Sequence, residues 1–161
     1  KMSSEANEKD ENGIYRQDAI YNIIEKEISN ASKQSSDLSL LLIDVDHLKD
    51  INLKFGFKAG NTILATVARI TKKFLKESDF IGRYRGDKFL VVLPLLPSDK
   101  TYELGESIRK AIESIKWKNQ NLNVTVSVSV TNWQNEKPFI LIDNLETQMG
   151  NAKLSGGNQV S

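Results

Sequence analysis

The sequence predicts an α+β domain, a central mixed sheet flanked by helices, and three observations carry that prediction. Apolar residues recur at helical spacing in four segments, and short runs of strand character lie between them. The elements run helix, strand, helices, hairpin, helix, strand, helix, an order that mixes the two classes along the whole chain. The 161 residues, 39% of them apolar and 27% charged, match one ordinary globular domain with a single core.

From Ile20 the positions Ile20, Ile23, Ile24, Ile28 and Ala31 repeat at helical spacing, which predicts an amphipathic helix over about 15–31, broken by the polar stretch 32–37. Leu38 to Ile43 is a short, nearly unbroken apolar run ending at Asp44, the pattern of a strand buried on both faces. Ile63, Leu64, Val67, Ile70, Phe74 and Leu75 predict a second long helix after Asn61, a side chain suited to accept the free amides of a first turn. The stretch Gly56-Phe57-Lys58-Ala59-Gly60-Asn61 before it reads as a loop whose glycines let backbone approach a ligand.

Two strand-like runs, 80–84 and 89–93, flank Arg85, Gly86, Asp87 and Lys88, and the Gly-Asp pair predicts a β-hairpin. Pro94 and Pro97 close it, Ser98 or Asp99 is placed to cap, and Leu104, Ile108, Ala111, Ile112 and Ile115 mark a third helix. From Leu122 to Thr131 valines alternate with Ser and Thr, which predicts a strand with one wet or polar face. Leu141, Ile142, Leu145, Met149 and Ala152 outline a last helix, stopped by Gly156 and Gly157.

Composition excludes several classes of function. Lys and Arg total 22 against 21 Asp and Glu, a net charge of +1, so no bulk field draws nucleic acid or an anionic membrane. The absence of Cys removes disulfides, thiolate metal sites and a Cys nucleophile, and fits a reducing, cytoplasmic setting. No apolar run approaches the ~20 residues of a membrane helix, so this segment is not expected to insert. The polar start, with Lys1 ahead of Met2, reads as a fragment in which 1–12 form a linker or N-terminal extension and 13–161 the domain.

The chemically loaded stretch is Asp44-Val45-Asp46-His47-Leu48-Lys49, because carboxylates at the end of a buried strand are hard oxygen ligands suited to Mg²⁺. Such a pair also serves simply to end a strand and cap the next helix. Asp87 at the hairpin tip supplies a second source of carboxylate, and if the first strand lies beside that hairpin, Asp44 and Asp87 share a cation. His47, the single histidine, lacks partners for a transition-metal site and reads as a surface or packing residue.

Together these pieces resemble the GGDEF family of diguanylate cyclases, from about Gly13 to the C-terminus. The likeness rests on Gly13-Ile14-Tyr15, the run from Leu41 to Asn52, Phe55-Gly56 with Gly60, and Ser78-Asp79. It continues through Arg83-Tyr84-Arg85-Gly86-Asp87-Lys88-Phe89, Val124 to Val128, and Ala152-Lys153-Leu154-Ser155-Gly156-Gly157-Asn158. The resemblance implies a palm-like nucleotidyl-cyclase fold and condensation of two GTP to cyclic di-GMP with Mg²⁺ by two domains face to face. It further implies that Asp44, the Val45 carbonyl and Asp87 bind metal, with Asp44 and Asp87 catalytic. Asn52 and Asn61 would read guanine, Gly86 would admit the nucleotide, and Lys49 and Lys153 would neutralise the triphosphate.

Departures from the family pattern fall on functional positions. Arg85 stands for the first signature Gly, and Lys88 for an acid beside the metal. Two charges ~4 Å apart interact by ~4 kcal/mol at an effective dielectric of 20, enough to disfavour a cation if the Lys88 ammonium points inward. Asn61 stands for an Asp and loses its charge, and Gly157 replaces a phosphate-binding Arg. Ser129 and Gly150 replace the usual Gly and Tyr. The inhibitory Arg-x-x-Asp becomes Lys76-Glu77-Ser78-Asp79, without the bidentate contact of Arg, a vestigial site.

The resemblance with these departures implies a degenerate domain of bacterial cyclic di-GMP signalling. Cyclase activity would be weak or absent, and the domain would sense GTP or cyclic di-GMP or engage a protein partner or a second copy. An active Mg²⁺-dependent cyclase and a ligand-free dimerisation spacer are the alternatives.

Overall fold

The computed structural model describes residues 8–161. The elements in chain order are α1 (Gln17–Gln34), β1 (Leu38–Val45), α2 (Leu48–Phe55), α3 (Phe57–Lys72), β2 (Phe80–Tyr84), β3 (Lys88–Pro94), α4 (Ser98–Glu113), β4 (Val126–Asn132) and α5 (Pro138–Leu154). The strands form one sheet in the order β2-β3-β1-β4, and all three neighbouring pairs are antiparallel. Among the described residues, parallel pairing is confined to isolated bridges between Tyr15 and Gly82 and between Val128 and Val160, so the sheet is mixed only at its margins.

β1 occupies the centre because it is apolar on both sides, and helices cover both. Leu41, Ile43 and Val45 face the cluster shared with α2, α3 and α4, which contains Ile51, Ile63, Val67, Phe89, Ile108 and Ile112. Leu38, Leu40 and Leu42 face the cluster shared with α1 and α5, which contains Ile20, Ile24, Leu90, Leu141 and Leu145. Each fully buried aliphatic or aromatic side chain contributes roughly 1.5–3 kcal/mol, so these two layers hold the fold.

The expectation of a wet sheet face is corrected by this arrangement. Ser127 and Ser129 on β4 are fully buried beneath α5. Their hydroxyls are satisfied internally, Ser129 Oγ donating to the Leu145 carbonyl at 2.8 Å and Ser127 Oγ to Asp46 at 2.7 Å. Small polar residues with partners are compatible with burial, whereas alternation alone was read as exposure.

The expected loop at 56–61 is also corrected. Only Gly56 breaks the chain, with φ 93, and α3 begins at Phe57, so Gly60 and Asn61 lie inside a helix. The apolar stripe begins at Ile63, one turn and a half after the helix itself, because its first turn is solvent-facing and exposes Phe57 at 76%. At α4 neither Ser98 nor Asp99 caps; Pro97 holds the cap position without a side-chain hydrogen bond. Residues 1–7 of the expected extension lie outside the described residues. Residues 8–12 touch the domain: Lys9 bridges to Tyr15, and Asp10 lies 3.5 Å from Arg83 and accepts the Ile14 amide.

Candidate active site

The chain leaves the sheet at the end of β1, and the turn there gathers the charged groups. The Asp46 amide donates to the Thr125 carbonyl, His47 takes a left-handed φ of 57, and α2 starts at Leu48. His47 is an exposed surface residue, as expected. Alternation along β1 puts Asp44 on the α5 side, in register with Lys88 on β3 and Ser127 on β4. Strand β1 therefore lies beside the signature hairpin.

Asp46 is the most heavily bonded carboxylate of the group. Its Oδ1 accepts from Ser127 Oγ at 2.7 Å and Lys153 Nζ at 2.6 Å; its Oδ2 accepts from Thr125 Oγ1 at 2.7 Å and the Asn158 amide at 2.8 Å. Burial is the largest single influence and pushes its carboxyl up, but the donors from Lys153, Thr125 and Ser127 together hold it below the ordinary value. Asn158 in turn is gripped by Arg109 and Glu113 of α4.

Asp44 is different. Its one ion-pair partner among the described residues is Lys153, at 3.4 Å, and its side chain is 14% exposed. Burial pushes its carboxyl above the ordinary range; Lys153 and Lys88 pull it back, while the nearby Asp87 carboxylate pushes it further up. An acid strained by burial and by a like charge gains most from a cation.

The hairpin turn departs from what a non-glycine residue prefers. Arg85 has φ 49 and Gly86 φ 70, so Arg85 pays of order 1–2 kcal/mol for the left-handed region. Its guanidinium lies over the Tyr84 ring, 5.4 Å from the centroid. The Gly86 carbonyl accepts from Arg83 at 2.6 Å. Lys88 shares the α5 side with Asp44, yet its Nζ is engaged at 3.0 Å by Glu146 of α5.

In front of the hairpin lies a cleft of about 430 Å³, lined among others by Lys49, Asn52, Phe57, Arg85, Gly86 and Asp87. That volume falls within the usual range for small-molecule sites. The Asn52 side chain packs against the bare Cα of Gly60, where a Cβ would stand 1.8 Å from Oδ1, and this buried oxygen has no hydrogen-bond partner. A buried amide acceptor without a partner is uncommon and fits a ligand donor.

The structure thus brings Asp44, Lys153 and Asp46 together, and Lys49, Asn52, Gly86 and Asp87 around one cleft. Val45 ends β1 with a buried side chain. Asn61 is exposed on α3 outside the cleft lining. Gly157 sits against Asp46, with a hypothetical Cβ 3.0 Å from Oδ1. Lys76 and Asp79 line a separate groove with Lys9, Tyr15 and Lys72; there Asp79 accepts the Lys76 amide at 2.8 Å. Burial raises the Asp79 carboxyl.

Sequence reasoning missed the roles of Asp46, Thr125, Ser127, Glu146 and Gly60. The Thr and Ser alternation was the available signal for the first three, since hydroxyls two apart on one strand face can converge on one carboxylate. Glu146 carried no local signal.

The residues present fit a magnesium ion. Asp44 and Asp87 are hard carboxylates close enough to perturb one another, and Mg²⁺ is commonly held by one or two carboxylates with substrate phosphates and water completing its shell. No cluster of three or more metal-binding side chains occurs among the described residues.

Comparison with known proteins bears on the fold and the family. The family profile described as "Diguanylate cyclase, GGDEF domain" matches residues 12–159. Diguanylate cyclase A of Treponema denticola is 31% identical over 138 residues, 83% of this chain and 37% of that protein. Diguanylate cyclase DgcP of Pseudomonas aeruginosa is 30% identical over 151 residues, 92% of this chain and 22% of that protein. The chain spans well under half the length of both.

Among solved structures, the GGDEF domain of DgcB from Caulobacter crescentus in complex with c-di-GMP superposes with a TM-score of 0.90. That match has 20% identity and covers 97% of this chain and 95% of that chain. The active GGEEF domain of a diguanylate cyclase from Vibrio cholerae gives 0.86 at 22% identity, over 90% of this chain and 94% of that one. Sequence profile, relatives and fold coincide: the chain belongs to the GGDEF domain family of diguanylate cyclases.

Proposed function

We propose that this domain binds a guanine nucleotide with a divalent cation and forms cyclic di-GMP weakly or not at all, serving cyclic di-GMP signalling as a nucleotide-sensing or protein-interaction module. The observation that supports it is the charge inventory at the end of β1. Asp44 and Asp87 are left for a cation, and Lys88, in place of a third acid, is bound to Glu146 at 3.0 Å. Two carboxylates suffice to hold a Mg²⁺ that arrives with phosphates. When bound, the ion would polarise a phosphate and activate the attacking hydroxyl.

The chain's own residues take distinct parts in this reading. Asp44, the Val45 carbonyl and Asp87 hold the ion, Lys49 and Lys153 neutralise phosphate charge, and Asn52 bonds the base. Lost contributions from positions 61, 88 and 157 weaken positioning and charge stabilisation in the transition state more than binding.

One observation favours an active cyclase instead: Glu146 draws the Lys88 ammonium to itself, which lessens its repulsion of the ion. Product analysis with GTP and Mg²⁺ separates the two readings. Lys88→Glu alone would set two acids against each other, so the informative variant is Lys88→Glu with Glu146→Gln and Asn61→Asp. The wild type is expected to form cyclic di-GMP roughly 10²-fold more slowly than this variant, the scale of one lost electrostatic stabiliser. A wild type that forms cyclic di-GMP at the rate of a working cyclase, and gains nothing from the three substitutions, supports the cyclase reading. Calorimetry showing no heat with GTP, GDP, ATP or cyclic di-GMP in Mg²⁺ or Mn²⁺ leaves the dimerisation spacer.

A further inference from the structure

At the end of β1 two acids compete for one ammonium. Lys153 Nζ lies 2.6 Å from Asp46 Oδ1 and 3.4 Å from Asp44 Oδ2. The competition is unequal because Asp46 is fixed in place: its side chain is 3% exposed, and Thr125, Ser127 and the Asn158 amide all donate to it. The turn after α5 is shaped to permit this. Gly157 has φ 73, and a Cβ there would meet both Asp46 oxygens within 3.2 Å, so its bareness lets the Asn158 amide reach the carboxylate.

We propose that Asp46 is a positioning residue that anchors Lys153 on its own carboxylate and so keeps Asp44 open to a divalent cation. The inference rests on the reading of Asp44 and Asp87 as a cation locus. With the Asp46 charge removed, the ammonium has Asp44 as its remaining acid and settles on it. A lysine in that place competes with the metal instead of standing beside it. Asp46 itself never touches the ion; it acts through Lys153.

Two measurements test this on the whole domain. The first follows the Lys153 side-chain ammonium by NMR without metal. Asp46→Asn is expected to shift its resonance and speed its exchange with water, whereas Asp44→Asn leaves it nearly unchanged. Equal responses to the two variants would overturn the anchor.

The second measurement titrates Mn²⁺ alone and reads free ion by its EPR signal. Asp46→Asn is expected to weaken Mn²⁺ binding by about tenfold, the equivalent of 1.4 kcal/mol. Adding Lys153→Met to Asp46→Asn is expected to restore it, because the competitor is gone. A purely structural Asp46 would give loss without restoration, and that result rejects the proposal. If Asp46→Asn does not fold, Thr125→Val with Ser127→Ala loosens the carboxylate while keeping its charge. The same restoration by Lys153→Met is then expected from a smaller loss, and its absence rejects the proposal equally. Should the wild type take up no Mn²⁺ at all, the cation-locus reading fails, and with it the purpose assigned to the anchor; the NMR arm still reports whether Asp46 holds Lys153.

Discussion

The central strand carries a buried polar network at each end, and the two are built on opposite rules. At the start of β1, Ser39 Oγ donates to the Leu96 carbonyl at 3.0 Å and accepts from Asn132 Nδ2 at 2.6 Å, with Thr101 Oγ1 2.9 Å away. This network is neutral and closed, and it ties β1 to β4 and α4. At the other end the groups are charged: Asp46 is saturated by four donors while Asp44 keeps one long ion pair. A closed neutral network holds a fold together and asks for nothing more. A charged one with an under-coordinated acid is poised for a ligand.

Substitutions can break or sharpen this contrast, beginning with the most severe. Asp46→Ala leaves the Lys153 ammonium, the buried Ser127 hydroxyl, the half-buried Thr125 hydroxyl and the Asn158 amide without this shared acceptor. It is expected to cost about 2–4 kcal/mol in guanidinium unfolding, the scale of orphaning several buried or half-buried donors while Lys153, a third exposed, turns to Asp44. A loss below ~1 kcal/mol would mean that the saturated acid is not the keystone of its end.

Gly60→Ala tests the cleft. An added methyl inside a helix normally stabilises by up to ~1 kcal/mol, but here it would meet Asn52 Oδ1 at 1.8 Å. GTP affinity by calorimetry should fall by roughly tenfold, about 1.4 kcal/mol, with the melting temperature nearly unchanged. Unaltered affinity would remove Asn52 from the base-reading role.

Ser39→Ala removes a buried hydroxyl bonded to Leu96, Asn132 and Thr101, should cost about 1–2 kcal/mol of stability, and should leave Mn²⁺ and GTP binding as they were. An effect on binding would show that the two ends communicate.

The smallest stability effect carries the most diagnostic sign. Burial raises the Asp44 carboxyl, so its ionisation works against the folded state. Its favourable contribution is complete below the unfolded value near pH 4 and is lost as pH rises through the higher folded value. Asp44→Asn should therefore be more stable than wild type at pH 7, and the gap should close as pH falls towards 4. The same variant should lose Mn²⁺ binding. Thermal unfolding across pH checks the first expectation and EPR the second; a variant less stable at pH 7 would show that Lys153 over-compensates the burial.

Much of the fold was legible because local pattern and global burial agree. The apolar run at 38–43 specifies a central strand, the stripes at 20–31, 104–115 and 141–152 specify helices, and Gly-Asp specifies the hairpin. Where the pattern misled, burial was the cause. Ser127 and Ser129 read as wet because hydroxyls usually are, yet Asp46 and the Leu145 carbonyl accept them internally. The first turn of α3 was hidden because its outward residues carry no apolar period.

The site divides in the same way. Sequence alone determined which chemical groups exist: two acids at a strand end, one at the hairpin tip, a lysine near the C-terminus, and a basic residue where an acid was expected. Only the tertiary structure decided their allegiances. That Lys88 pairs with Glu146, and that Lys153 rests on Asp46 rather than Asp44, depends on residues 58 and 107 positions apart brought within 3 Å. Charge pairing falls off over a few ångströms in space, and nothing in the order of the residues encodes that distance until the sheet and α5 have packed.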